Sequence, residues 1–243
     1  MKLALASCAL FALTSGIADE TATGRTPVLV ELFTSEGCSS CPPADRLLQQ
    51  FDSKQPIADA DLIVLSEHVD YWNQLGWKDP FSSAQFSERQ RDYARSFGGD
   101  VYTPEMVVDG GMGFVGSDEG DARKAVHEAV RVQKTPIHID VQKTEGKVKV
   151  VLHMDRAPAG TVYLALAHDT MKSQVTRGEN TGRGLTHVAV VYSLEKLAKI
   201  DKKDGAFDRE IAITPHAGET TRIVAFVEKQ DLGRVVAVGQ ARL

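Results

Sequence analysis

The stretch Pro27-Val28-Leu29-Val30-Glu31-Leu32-Phe33, then Cys38-Ser39-Ser40-Cys41, then Pro42-Pro43-Ala44-Asp45-Arg46-Leu47-Leu48-Gln49-Gln50-Phe51 decides how this chain folds. The first run is apolar and rich in Val and Leu, the pattern of a buried strand over 27–34. The last run puts Leu47, Leu48 and Phe51 on one face of a helix over 41–52. Its prolines fall in the first turn, where an N–H would go unpaired anyway. Strand, cysteine turn and helix, in that order, make a C-x-x-C pair reactive. Unpaired N–H groups and the positive end of the dipole at a helix start stabilise a thiolate. Cys38 is the expected nucleophile, and Cys41, one turn inside, is expected to resolve a mixed disulfide. A bridge between cysteines this close closes almost no loop and adds little stability, which weakens a purely structural reading of the pair.

The 243 residues suffice for one large domain or two ordinary ones, and 42% hydrophobic with 25% charged residues is a globular composition. The net charge of −5 comes with no basic stripe, which argues against nucleic-acid binding. Residues 1–18 read as an export signal: Lys2, an apolar run from Leu3 to Leu13, and small residues Gly16 and Ala18 around Ile17. Cleavage before Asp19 removes one lysine, taking −5 to −6, and leaves two cysteines, since Cys8 goes with the signal. Leu5-Ala6-Ser7-Cys8 has the look of a lipoprotein box, but too few residues precede it for a charged region and an apolar core. No later apolar run suggests stable membrane insertion, so the mature protein is expected to be periplasmic or secreted.

Further along, Asp61 to Glu67 reads as a second buried strand and Ser82 to Phe97 as a helix ended by Gly98-Gly99. Short strands Glu105–Val108 and Met112–Val115 flank Asp109-Gly110-Gly111, a hairpin signal, and Asp118 to Gln133 reads as a helix. Residues 27–134 therefore resemble the thioredoxin fold, with the cysteine pair opening the first helix and Thr103-Pro104 preceding the hairpin. That resemblance implies a cis-proline at Pro104 lying against the cysteines, with Thr103 beside it.

A closer resemblance rests on Glu31 to Asp45, on His68-Val69-Asp70-Tyr71-Trp72-Asn73-Gln74-Leu75-Gly76-Trp77-Lys78-Asp79-Pro80-Phe81, and on Arg177 to His187. These strings are similar to a secreted bacterial thioredoxin-like family catalogued as domain of unknown function 1223. It implies a fold and an exported location, and no substrate.

From Thr135 to the end, about seven short strands with turns between them, one around Glu145-Gly146, suggest an antiparallel β-sandwich-like domain over 135–243. Ser193 to Ile200 reads as a short helix or a strand extension. The expected fold is thus an α/β thioredoxin-like domain followed by a β-sandwich-like one.

Several residues are candidates beside the cysteines. Glu31, alone in an apolar strand, would relay a proton to Cys41 or else pair with a nearby arginine or backbone N–H. Glu36 should raise the Cys38 pKa, and no histidine lies between the cysteines, so a reducing or intermediate potential is expected. His68 and Asp70, two apart, would share a face at the end of the second strand and orient a substrate, share a proton or help hold a metal, or else form a hydrogen-bonded pair that fixes a loop. Trp72 and Trp77 would line a groove for a polypeptide or cover the core. Asn180 and His187, in a glycine-rich segment, would cap the cysteine edge or lie far from it.

The reading that follows is thiol–disulfide exchange with a protein or small-molecule thiol, needing no bound cofactor. The alternatives are a Cu(I) or Zn²⁺ carrier using the same thiols, and a redox-silent interaction module.

Overall fold

A computed structural model describes residues 24–144, 147–201, 205–216, 220–229 and 233–243. The expected export signal at 1–18, Cys8 and the Glu145-Gly146 turn lie outside the described residues.

Strand β1 (Thr26–Thr34) runs parallel to β2 (Ala60–His68), in register from Thr26↔Ala60 to Thr34↔His68, so both end on one edge. Helix α1 (Pro42–Lys54) connects them, and left-handed Gln55 stops it, its N–H bonded to the Phe51 carbonyl. Helix α2 (Ala84–Phe97) starts at Ser83, whose hydroxyl accepts the Gln85 N–H, and stops at Gly98, φ 70°. Strands β3 (Glu105–Val108) and β4 (Met112–Val115) form a hairpin turned at Asp109 and Gly110, φ 47° and 60°. Asp118 caps α3 (Glu119–Ala129). There follow β5 (Thr135–Pro136), β6 (His138–Thr144), β7 (Lys147–Met154), β8 (Gly160–Gln174), β9 (Gly184–Ile200), β10 (Phe207–Ile213), β11 (Thr221–Glu228) and β12 (Val235–Arg242). Residues 193–200 thus extend a strand.

The fold is mixed α/β: a nine-stranded mixed sheet, order β4-β3-β1-β2-β9-β8-β11-β12-β5, and a three-stranded antiparallel sheet, order β10-β7-β6. The second half differs from a sandwich standing apart. Its strands do pack as two layers, with Val150 and Leu152 of β7 against Val162, Leu164, Ile223 and Ala225. One of those layers, however, is the same sheet that holds the first half, because β2 pairs in parallel with β9 at Ser66↔Val190. Alternation along a strand reveals which residues face inward, not which strand lies alongside, so this junction was invisible in the sequence.

Period-2 alternation splits β1 between two faces. Val28, Val30 and Leu32 face α1 and α3, packing on Leu47, Leu48, Phe51 and Val126. Leu29 joins Phe86 of α2, Tyr163 and Phe226 in a second core, and Phe33 packs with Tyr93 of α2 in a third. The helix carrying Cys41 and the helix α2 therefore lie on opposite faces of β1.

Candidate functional site: the cysteine edge and its cap

Past the end of β1, residues 35–41 turn tightly: the Cys38 N–H bonds the Ser35 carbonyl and the Cys41 N–H bonds the Cys38 carbonyl, both at 3.2 Å. Cys38 and Cys41 are joined in a disulfide, Cα–Cα 5.4 Å, and both residues are fully buried while Ser39 and Ser40 are exposed. The Ser40 hydroxyl lies 3.3 Å from the Cys38 sulfur and 3.5 Å from the Thr103 carbonyl. This places the Thr103-Pro104 segment, which has a cis peptide bond, against the cysteine turn. Trp72 in turn donates its indole N–H to the Thr103 hydroxyl at 2.8 Å.

The helix start behaves differently from the expectation drawn from spacing. Pro42 and Pro43, the first two helical positions, have no N–H to offer. The next two N–H groups, of Ala44 and Asp45, both bond the Cys41 carbonyl at 2.9 and 3.1 Å. Direct N–H donation to a thiolate from the first turn is therefore largely spent. The remaining stabilisation comes from the dipole and from the Ser40 hydroxyl.

Beneath the turn sits a buried acid–base cluster. Glu36 accepts hydrogen bonds from the Trp77 indole N–H (2.8 Å) and from the Ser173 hydroxyl. His187, 2% exposed, stands between two carboxylates, Nε2 3.4 Å from Glu36 and Nδ1 3.5 Å from Asp45. These contacts are ion pairs, since neither ring nitrogen has hydrogen-bond geometry to a partner. Burial alone would pull the His187 pKa down, but Asp45 and Glu36 outweigh it and push it up to about 10, so the ring is an imidazolium at neutral pH. Asp45 also accepts the Thr34 hydroxyl at 3.0 Å. The His68 ring packs edge-on against His187, centroids 4.6 Å apart.

His68 Nδ1 lies 2.7 Å from Asp79 Oδ2, and Asp79 also accepts the N–H groups of Glu36 and Phe81, each at 2.9 Å. Burial raises the Asp79 pKa, but the His68 ring and those N–H groups prevail and hold it below the ordinary carboxylate value. An ionised carboxylate only accepts, so Nδ1 carries the proton. Asp79 thus pins the aromatic loop 69–83 to the cysteine turn.

A cap from the second half closes the edge. The Asn180 amide, fully buried, donates to the carbonyls of Glu36 (2.8 Å) and Cys38 (2.9 Å). The Glu179 carboxylate accepts the Ser39 N–H at 3.0 Å, and the Ser39 side chain and N–H together lower its pKa. Gly178, φ 75°, lets this loop fold against Trp77: a Cβ there would sit 3.1 Å from the Trp77 Cβ.

The structure therefore gathers Cys38, Cys41, Thr103, Pro104, Trp72, Trp77, His68, Asn180 and His187 at one edge. It corrects two expectations. Asp70 does not face His68: its carboxylate accepts the Ser87 hydroxyl on α2 at 2.6 Å. A loop that turns after His68 breaks the strand alternation on which the shared face depended. Glu31 is no relay beneath the cysteines. It lies on the α2 face and accepts from Arg89 Nε and the Tyr93 hydroxyl, both at 2.7 Å, the arginine partnership that was its other reading. Both indole N–H groups are engaged inside the protein, so the tryptophans brace the edge. Asp79, Asp45 and Ser173 belong to the site and were not foreseen. Asp79 sits inside the quoted loop string, and Asp45 is a charged residue one turn beyond Cys41. Ser173 carries no signal in the sequence. Among the described residues, no group of three or more His, Cys, Asp or Glu side chains is arranged to hold a metal ion.

Residues 29–228 match the profile of a family described as protein of unknown function (DUF1223). The chain belongs to this family. No curated protein matches it. Among solved structures it is similar to a protein from Agrobacterium tumefaciens determined by crystallography as a structural-genomics target. The two are 25% identical, with a TM-score of 0.63 over 89% of this chain and 94% of that one. The match spans the cysteine turn, the aromatic loop and the cap, so all three parts of the edge fall within the family's extent.

Proposed function

We propose that this DUF1223 protein carries out thiol–disulfide exchange through Cys38 and Cys41, on a thioredoxin-like α/β framework formed by its first half. The observation that carries the reading is the disulfide itself. It sits at the start of α1, with a hydroxyl 3.3 Å from the Cys38 sulfur and a charged network directly below. A disulfide spanning three residues contributes little to stability, so such surroundings favour a chemical role.

In the oxidising direction a substrate thiolate attacks the Cys38 sulfur, forming a mixed disulfide and releasing Cys41 as thiolate, which takes up a proton. A second substrate thiolate attacks its partner sulfur and releases the Cys38 thiolate. Two thiols lose two electrons and the pair gains them. The reducing direction is the reverse, with Cys41 as the resolving group. The buried Glu36 carboxylate disfavours a thiolate, and the prolines remove N–H donors. Both support a reducing or intermediate couple. Both cysteines are fully buried, and Asn180 and Glu179 tie the cap to their turn, so the cap moves aside for exchange. The substrate is a protein or small-molecule thiol or disulfide, no bound cofactor is required, and the working compartment is the periplasm or the exterior.

The test is the reduction potential of the pair, measured by equilibration in dithiothreitol and glutathione buffers, with Cys38→Ser and Cys41→Ser beside the wild type. A reversible two-electron transition, abolished in C38S and arrested as a mixed disulfide in C41S, is expected. A pair that reduces only when the protein unfolds would overturn the reading.

A further inference from the structure

On the α2 face, away from the cysteines, three carboxylates converge on one guanidinium. Arg89 lies within ion-pair distance of Glu31 (2.6 Å), Glu67 (3.7 Å) and Glu228. Both Glu31 oxygens are satisfied, by Arg89 and by Tyr93. Glu228 Oε1 takes Arg89 Nη2 and the Tyr93 hydroxyl, but its Oε2 has no hydrogen-bond partner although the residue is 1% exposed. Neither oxygen of Glu67 has one. Three carboxyl groups thus share one cation, and burial, with Glu31 alongside, holds the Glu67 pKa well above the ordinary carboxylate range.

Two members of this cluster, Arg89 and Glu228, line an open cleft. A cavity of about 720 Å³ lies between α2 and strands β8, β9 and β11, and Arg89, Tyr163 and Glu228 line it. The Tyr163 ring, stacked on Phe226 with centroids 5.1 Å apart, forms a flat wall. The rim carries charges of both signs, Glu88 and Asp92 as well as cations. Lys196 holds its ammonium 5.8 Å from the Tyr163 ring centre, and Lys229 stands next to Glu228. Arg95, also on the rim, is already paired with Glu88 and Asp92.

We propose that this cleft binds a small zwitterion, a short peptide or amino acid, with its ammonium on Glu228 Oε2 and its carboxylate at Lys196 and Lys229. A buried carboxylate oxygen without a partner is costly, and an incoming ammonium removes that cost while supplying the charge the cluster lacks. The two lysines at the mouth disfavour a ligand that carries positive charge at both ends. The volume falls in the range that binds small molecules and accommodates more than a single amino acid.

Burial, with Glu31 nearby, raises the Glu228 pKa against the pull of Arg89 and the Tyr93 hydroxyl. The groups facing Glu228 are Arg89 and Tyr93 of α2, Glu31 of β1, Glu67 of β2 and Tyr163 of β8. Binding an ammonium therefore displaces a proton, and affinity rises as pH climbs above the ordinary carboxylate range, until the ligand's own ammonium begins to lose its proton.

The experiment is titration calorimetry of the full mature chain with triglycine, putrescine and succinate as probes. Triglycine should bind, more tightly at pH 7 than at pH 5, with putrescine and succinate each at least about tenfold weaker. Glu228→Gln should weaken triglycine about tenfold or more. Because that variant touches the buried cluster, K196Q/K229Q, altered only at exposed positions, is the companion. It should also lose about tenfold for triglycine at an unchanged melting temperature. Absence of triglycine binding overturns the proposal. So does binding of putrescine or succinate as tight as that of triglycine, or triglycine binding indifferent to the rim variant.

Discussion

Removing the Asn180 amide tests whether the cap gates the disulfide. In Asn180→Ala two hydrogen bonds disappear, those to the carbonyls of Glu36 and Cys38 at 2.8 and 2.9 Å, and nothing else in the loop reaches those carbonyls. A net loss of about 1 kcal/mol per bond gives about 2 kcal/mol, roughly a 30-fold change in an equilibrium. If the cap opens before exchange, the open fraction rises by that factor, because the alanine weakens the closed state and leaves the open one unaltered. Reduction of the Cys38–Cys41 disulfide by dithiothreitol, followed by the fluorescence of Trp72 and Trp77, should then accelerate by about 30-fold. The melting temperature should fall by about 4–8 °C if the closed cap is part of the native state that melts. A variant that melts lower by this amount but is reduced at the wild-type rate refutes the gating argument, since the bonds would then contribute to stability without controlling access.

Three other outcomes follow from the same geometry. Ser40→Ala removes the hydroxyl 3.3 Å from the Cys38 sulfur, so in the reduced protein the Cys38 titration, read by thiolate absorbance, should move up by about one pH unit; no movement would mean the hydroxyl serves only Thr103. His187, held at about 10 rather than its ordinary 6.5, stabilises the fold fully below about pH 6.5 and loses that contribution as pH rises towards 10. The amount is on the order of 5 kcal/mol; urea unfolding of the oxidised protein should show this alkaline decline, and His187→Gln should flatten it. Glu31→Gln keeps the shape but weakens a buried charged pair, costing about 1–3 kcal/mol in urea unfolding while leaving the rate of disulfide exchange within about twofold of wild type. A large loss of exchange in that variant would restore the relay that the geometry has removed.

The cysteine turn was readable because its determinants are local. A buried strand, a turn and an amphipathic helix are each encoded within about a dozen residues, and their order places Cys38 and Cys41 without reference to the rest of the chain. Ser83 and Gly98 bracket α2, and Asp109-Gly110 turns the hairpin, for equally local reasons. Partner choice is a different matter. His68 has a carboxylate two residues away and another eleven residues away, and the loop geometry selects the distant Asp79. Glu31 looked poised beneath the cysteines only because a strand residue's face is set by which helix packs on each side.

What the sequence determined by itself was the cysteine pair, the elements around it and the alternation that sorts β1 into two faces. All of these depend on contacts between near neighbours, where periodicity is a direct physical signal. Only the tertiary structure decided that β9 continues the sheet past β2, bringing His187 to the cysteine edge, and that the loop between β8 and β9 carries Asn180 over it. It also decided that Arg89 gathers Glu31, Glu67 and Glu228 from three separate strands. Residues more than a hundred positions apart meet through strand pairing and packing, and one chain's pattern of apolar and polar residues carries no record of which distant segment will be the neighbour.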